Sequence, residues 1–263
     1  TRPSIVGRQH GSLITQERIR MRNIWIIAKR EFKLYFISPI AYAVMFLILL
    51  ILGLIFYASF YAATLQQYVP NIQMVLSPMV TIFLFTTPAI TMRLLADEQK
   101  SGTLEVLMTK PIRDWELVVG KWLGAMFFYC VILLLTLVFP FILNMILKPG
   151  LELGSLVTGY LGLFLMVGAF VAVGVAASSL FSNQIAVFFT SLGILLIFWL
   201  IDFPGQAFGG IAGTVLQYLG LTGHFFNSFY QGVIELKDLI YFLSLIVLFL
   251  FLGSASIESR RWR

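Results

Sequence analysis

From residue 40 to residue 62 the chain runs without a single charged side chain. A helix needs about 20 mostly apolar residues to cross a bilayer, because each residue adds about 1.5 Å against a hydrocarbon core of about 30 Å. Five more stretches have the same character: 72–92, interrupted by Pro78 and Pro88; 122–147, with Pro140 near its far end; 155–181, rich in glycine and alanine; 185–201, barely long enough; and 239–257. Proline would break a helix in water, but a membrane helix tolerates it as a kink. Only 11% of the residues are charged and 59% are hydrophobic, where soluble domains carry about 25% charge. A soluble fold of 263 residues could not hide that much apolar surface. The expected fold is therefore all-α and integral to the membrane, with six transmembrane helices and the lipid bilayer as solvent.

The basic residues add a direction. Eight Lys and Arg precede the first span: Arg2, Arg8, Arg18, Arg20, Arg22, Lys29, Arg30 and Lys33. Five lie between the second and third spans (Arg93, Lys100, Lys110, Arg113 and Lys121), and Arg260, Arg261 and Arg263 end the chain. Six spans put all of these on one side, and only Lys148 and Lys237 fall on the other. By the positive-inside rule both termini and the second-to-third loop are expected to be cytoplasmic. The formal charge of +6 is thus read as topology and attraction to anionic headgroups, and no nucleic-acid partner is expected. The single cysteine, Cys130, sits in an apolar run and is read as a packing residue. Residues 1–21 form a basic N-terminal extension with no apolar core. They are expected to be poorly ordered or to lie along the cytoplasmic face, followed by one transmembrane domain over 22–263.

Residues 22–37 read as a basic amphipathic helix in the membrane plane. Lys29, Arg30 and Lys33 fall on one arc and Ile24, Ile27, Ala28, Phe32 and Tyr35 on the opposite one. Glu31 is the misfit, a carboxylate on the apolar side. It either reaches water or a nearby basic residue, or pairs with a partner protein or a helix end. The loop 96–121 is the longest charged stretch between spans. There Gly102 reads as an N-cap with Glu105 three residues on, and residues 103–109 as a short helix showing Leu104, Leu107 and Met108 on one face. Pro111 stops that helix and Asp114 reads as the cap of the next. This element either packs on its own bundle or docks a partner. In the fourth span Gly168, Ala172, Ala176, Gly174 and Ser178 stand three or four apart, which permits close helix approach within the bundle or in a dimer. Residues 203–236 are apolar and aromatic but broken by glycine and proline. Unpaired backbone cannot face lipid, so they read as re-entrant half-helices.

The chain has no G-x-x-x-x-G-K-[ST] phosphate loop. Its two histidines, His10 and His224, have no Cys or carboxylate at metal-ligand spacing. No span core holds a paired carboxylate or buried basic residue of the kind ion-coupled carriers use. No catalytic, cofactor or metal site is expected on this chain.

Several segments in order resemble one family. They are Pro88-Ala89-Ile90-Thr91-Met92-Arg93, Asp97-Glu98, Gly102-Thr103-Leu104-Glu105-Val106-Leu107-Met108-Thr109-Lys110-Pro111 and Gly120-Lys121, with Lys29-Arg30-Glu31 before them. His224-Phe225-Phe226, Gly232-Val233-Ile234 and Glu258-Ser259-Arg260-Arg261-Trp262 follow. The chain resembles the permease subunit of ABC-2 type transporters, in the subgroup that includes gliding-motility-associated permeases. The resemblance implies six spans, an N-terminal interfacial helix and external re-entrant helices before the last span. It also implies a separate ABC ATPase subunit, carrying ATP and Mg, and a second permease protomer as partners. The implied ATPase contacts are Lys29, Arg30 and Glu31; a coupling helix over 98–108 with Glu98, Lys100, Gly102, Thr103, Leu104, Glu105, Leu107 and Met108; and a smaller contact at Ser182, Asn183 and Gln184. The expected function is a permease, an exporter in the bacterial cytoplasmic (inner) membrane. The alternative is a membrane scaffold that passes on ATP-driven mechanical work without transport. The substrate, and whether the second protomer is a copy of this chain, stay open.

Overall fold

The computed structural model describes residues 5–66, 69–103, 113–147, 150–207 and 210–261, with side chains from Met21 onward except those of Ile40, Gln206, Arg260 and Arg261. The fold is all-helical. Helix α1 spans Ile5–Ile37, α2 Pro39–Gln66, α3 Gln73–Thr91 and the short α4 Ala96–Lys100. Next come α5 (Asp114–Thr136), α6 (Val138–Ile146), α7 (Leu153–Leu180) and α8 (Gln184–Leu200). Three pieces follow, α9 (Asp202–Ala207), α10 (Gly210–Leu219) and α11 (Leu221–Phe226), then a 3-10 turn and the last helix, α12 (Leu236–Arg261). Among the described residues six helical segments are long and apolar enough to cross a membrane, and they lie where the hydropathy puts them.

Helix α7 is the hub. Of its most apolar stretch 89% is buried inside the protein, against 17% for α2 and for α8. Its small residues explain the difference. A side chain at Gly174 would collide with Thr91 of α3, and one at Gly168 would press on Ile246 of α12 at 3.1 Å. On the other side of the pairing, a side chain at Gly253 of α12 would come within 3.5 Å of the backbone of Ala176. The small-residue pattern is therefore spent on packing within the chain. Trp122 of α5 adds a hydrogen bond from its indole N–H to the Gly168 carbonyl (2.9 Å).

The prolines interrupt the spans to different degrees. Pro78 and Pro88 lie inside α3 without ending it. Pro140 lacks an N–H to give to Thr136, and the third span breaks one residue later, between α5 and α6 at Leu137. Residues 203–236 form the expected half-helices, but only their inner part is covered. Phe225 and Phe229 are buried against Gly162 of α7, whereas Phe203 and Ile211 are exposed.

Two helix ends differ from expectation. Arg113, with extended backbone, holds the N-cap of α5, and Asp114 is its first helical residue. The Glu116 carboxylate reaches back to the Arg113 N–H (3.5 Å). Gly102 has φ +69°, the left-handed position that follows a helix C-terminus, and its N–H bonds the Gln99 carbonyl (3.3 Å). It closes α4, and Thr103 directly after it is helical again, so Gly102 stands between two helical stretches. A continuous coupling helix over 98–108 is thereby excluded at its start.

Candidate functional site

The face where the basic residues gather is built around one side chain. Helix α1 lays its apolar arc on α5, and two glycines of α5 make the approach possible. A side chain at Gly120 would come within 2.8 Å of Ile27, and one at Gly124 within 2.5 Å of the Glu31 Cβ. Lys121 stands between these glycines and is only 1% exposed. Its ammonium donates to Glu31 Oε1 (3.0 Å) and to the Leu94 carbonyl (2.5 Å), and pairs with Glu98 Oε1 (3.0 Å). Two of its N–H donors are thus given to Glu31 and Leu94, and the charge also faces Glu98. Removing a charged amine from water costs several kcal/mol, about what two close carboxylates and a carbonyl can return. The cluster therefore does more to fix geometry than to add stability. It ties α1, α4 and α5 together, and Arg30 stands over its rim, 4.0 Å from Glu98.

A second set of contacts fixes α4 to the end of α7. The Ser178 hydroxyl, fully buried, accepts from the Leu95 and Ala96 N–H groups (2.8 and 3.1 Å). It satisfies donors that a helix start leaves unpaired. Gln99 donates its amide to the Ser178 and Ser179 carbonyls (3.1 and 3.0 Å), and Gln184 donates to Asp97. Asn183 caps α8 by accepting from the Ile185 N–H (2.9 Å). Ser256 of α12 donates to the Ser179 carbonyl (3.2 Å).

The structure thus brings together three of the segments singled out in the sequence. Lys29, Arg30 and Lys33 are exposed on α1, Lys100, Gly102 and Thr103 are exposed at the end of α4, and Ser182 and Asn183 are exposed in the turn before α8. Glu31 is corrected. It is 6% exposed and committed to Lys121, so it supports this face from beneath and offers no surface to a partner. Glu98 is largely buried in the same way. Leu104, Glu105, Leu107 and Met108 lie outside the described residues. Sequence reasoning read Ser178 only as a small packing residue and missed Gln99, whose type is ordinary for a charged loop. It counted Lys121 as a rim charge.

Between α1, α2, α3 and α4 lies an open cavity of about 370 Å³, with Arg30, Arg93 and Glu98 toward the basic face and Val44, Ile90 and Phe128 on its apolar walls.

The opposite end of the bundle holds a different cluster. His224 of α11 bonds Asp238 of α12 (Nδ1 to Oδ1, 2.6 Å) and the Tyr218 carbonyl (Nε2, 2.8 Å). A carbonyl only accepts, so Nε2 carries a proton. Tyr241 stacks on the imidazole at 3.8 Å and donates to the Leu219 carbonyl (2.7 Å). Asp202 accepts from the Gly223 N–H (3.0 Å). The span cores stay free of charge, but charge is buried just beyond them at both ends. Among the described residues no group of three His, Cys, Asp or Glu side chains is placed to hold a metal ion.

A search among curated proteins found no match to the chain. The sequence profile of the ABC-2 family transporter protein matches residues 25–218. That segment covers α1 from Trp25 onward, the first five spans, α9 and nearly all of α10, including the residues of the Lys121 cluster. The chain belongs to the ABC-2 family of transporter proteins and is a multi-pass transmembrane permease component, in a family whose ATP hydrolysis is carried by a separate subunit.

Proposed function

We propose that this permease is driven by a separate ATP-hydrolysing subunit, with ATP and Mg bound there, that docks on the basic face described above. The observation that carries the reading is convergence. Segments far apart in sequence, at Lys29–Arg30, Lys100–Thr103 and Ser182–Asn183, all open at the end of the bundle to which α4 is fastened. Closure of the ATPase would push on residues 104–112 and on α4. Because α4 is fastened to α5 through Glu98–Lys121, to α7 through Ser178 and to α8 through Gln184, the push would move spans as bodies. In this reading Leu104, Leu107 and Met108 form the docking strip, while Lys100 and Glu105 set register by charge.

The direction of transport is export. The membrane is the bacterial cytoplasmic membrane, with both termini on the cytoplasmic side as the Lys and Arg distribution supports. The working unit contains a second permease protomer. The weakly buried faces of α2 and α8 leave room for it or for lipid. A gliding-motility-type relationship stays part of the proposal on the motifs quoted above.

The test is co-purification followed by ATP turnover in nanodiscs. A stoichiometric ATPase whose turnover rises with the wild-type permease, and does not rise with Leu104→Asp/Leu107→Asp, would support the docking reading. Unchanged stimulation in the double variant would refute it.

A further inference from the structure

We propose that the cavity between α1, α2, α3 and α4 binds the headgroup of a zwitterionic phospholipid with a primary ammonium, of the phosphatidylethanolamine class. The argument begins with the shape. Only Ser38 separates α1 from α2, and Pro39 fixes the first φ of α2. Two helices that part at a single residue leave a wedge between them. This wedge of about 370 Å³ lies within the range of small-ligand sites, about 300–1,000 Å³. It suits a headgroup and glycerol while acyl chains continue along α2 and α3.

Its lining changes character with depth. Val44, Ile90 and Phe128 make an apolar wall, and Arg30, Arg93 and Glu98 make a charged end. A phospholipid has the same order of parts. At the charged end, Lys121 offers nothing, because its buried ammonium is enclosed by Glu31, Glu98 and the Leu94 carbonyl. Arg93 is exposed, and no ion pair or hydrogen bond of its guanidinium is found among the described residues. Arg30 is held only by the 4.0 Å contact to Glu98. Two guanidinium groups with spare donors match a phosphate, which they bind by paired charge-assisted hydrogen bonds.

The acidic groups decide which phosphate. Glu31 and Glu98 together exceed the charge of Lys121 by one, and Asp97 also lines the cavity. The second oxygen of Glu98 is without a hydrogen-bond partner among the described residues. The lining as a whole is neutral, with three cations and three carboxylates. A ligand that carries one negative and one positive charge close together matches that arrangement. A purely anionic headgroup would meet the carboxylates unpaired, and a bulky quaternary ammonium would gain no hydrogen bond from them. The inference depends on this face lying at the membrane interface and not on any ATPase.

Native mass spectrometry of the permease alone, released from nanodiscs of equal parts phosphatidylethanolamine, phosphatidylglycerol and phosphatidylcholine, tests it. One phosphatidylethanolamine should be retained per chain in preference to the other two. Arg93→Ala, at an exposed position, should lower that retention roughly tenfold, the worth of one charge-assisted pair. Val44→Trp, which keeps every charge but fills the apolar wall, should lower it as well. Glycerophosphoethanolamine in solution should fail to displace the lipid. Equal retention of the three lipids, a preference for phosphatidylglycerol, or an Arg93→Ala variant that retains as much as wild type would overturn the proposal. Displacement by the soluble headgroup would overturn it too, since the site would then serve a free phosphoester and not a lipid.

Discussion

At the basic end, Lys121 is enclosed by carboxylates from two other elements, α1 and α4. At the far end, His224 is enclosed by one carboxylate and a main-chain carbonyl, within a patch of half-helices. Both are buried polar knots at the margin of an apolar bundle, but they join different things. The Lys121 knot links helices whose contacting residues lie as far as 90 apart in sequence and presents exposed surface on its outer side. The His224 knot joins neighbours in sequence, α10, α11 and the start of α12, and holds them on the bundle. A joint between remote elements can relay a displacement, and a pin among neighbours keeps a cap in place.

The two knots should differ in what they lose when cut. Lys121→Met leaves Glu31 and Glu98 buried without a cation and should cost about 3–5 kcal/mol, measured as unfolding of the permease in detergent. Adding Glu31→Gln should recover part of that loss, because one orphaned charge goes with it. Gly124→Ala forces α1 away from α5 at the same joint and should cost about 1–3 kcal/mol by the same measurement. Asp238→Asn keeps a hydrogen bond to His224 Nδ1 and should cost only about 1 kcal/mol. If it cost as much as Lys121→Met, the contrast between the knots would be lost. Arg30→Ala, at the exposed rim, should change stability by less than about 1 kcal/mol. A larger effect would mean that the knot extends to its rim.

The basic knot was half legible in the sequence, and the far one hardly at all. Glu31 stood out because a 3.6-residue period put a carboxylate on the apolar arc, and that misfit was real. Its partner was hidden in a count of positive charges, which records the side of the membrane but not the face of a helix. The neighbours of Lys121 held the missing signal. Gly120 and Gly124, four apart, mark the side of α5 that another backbone approaches. His224 and Asp238 stand 14 residues apart across short pieces and the left-handed Gly232, where no helical period connects them. The spans were legible because twenty apolar residues have few alternatives in a chain this poor in charge. The break at Ser101–Gly102, between α4 and the helical Thr103, was not legible because a glycine that closes one helix and a glycine that opens the next look alike in a string of letters.

The buried position of α7 also bears on how the protein is made. By the time α7 leaves the ribosome, α3 and α5 are already present to receive one side of it. The side that faces Ile246 and Gly253 must wait for α12, which is translated more than fifty residues later. Until then a strip of glycine and alanine is open to lipid, which fills such a groove poorly. Chains that stop before Leu236 should insert into the membrane and yet be removed by quality control, and supplying α12 as a separate segment should rescue them.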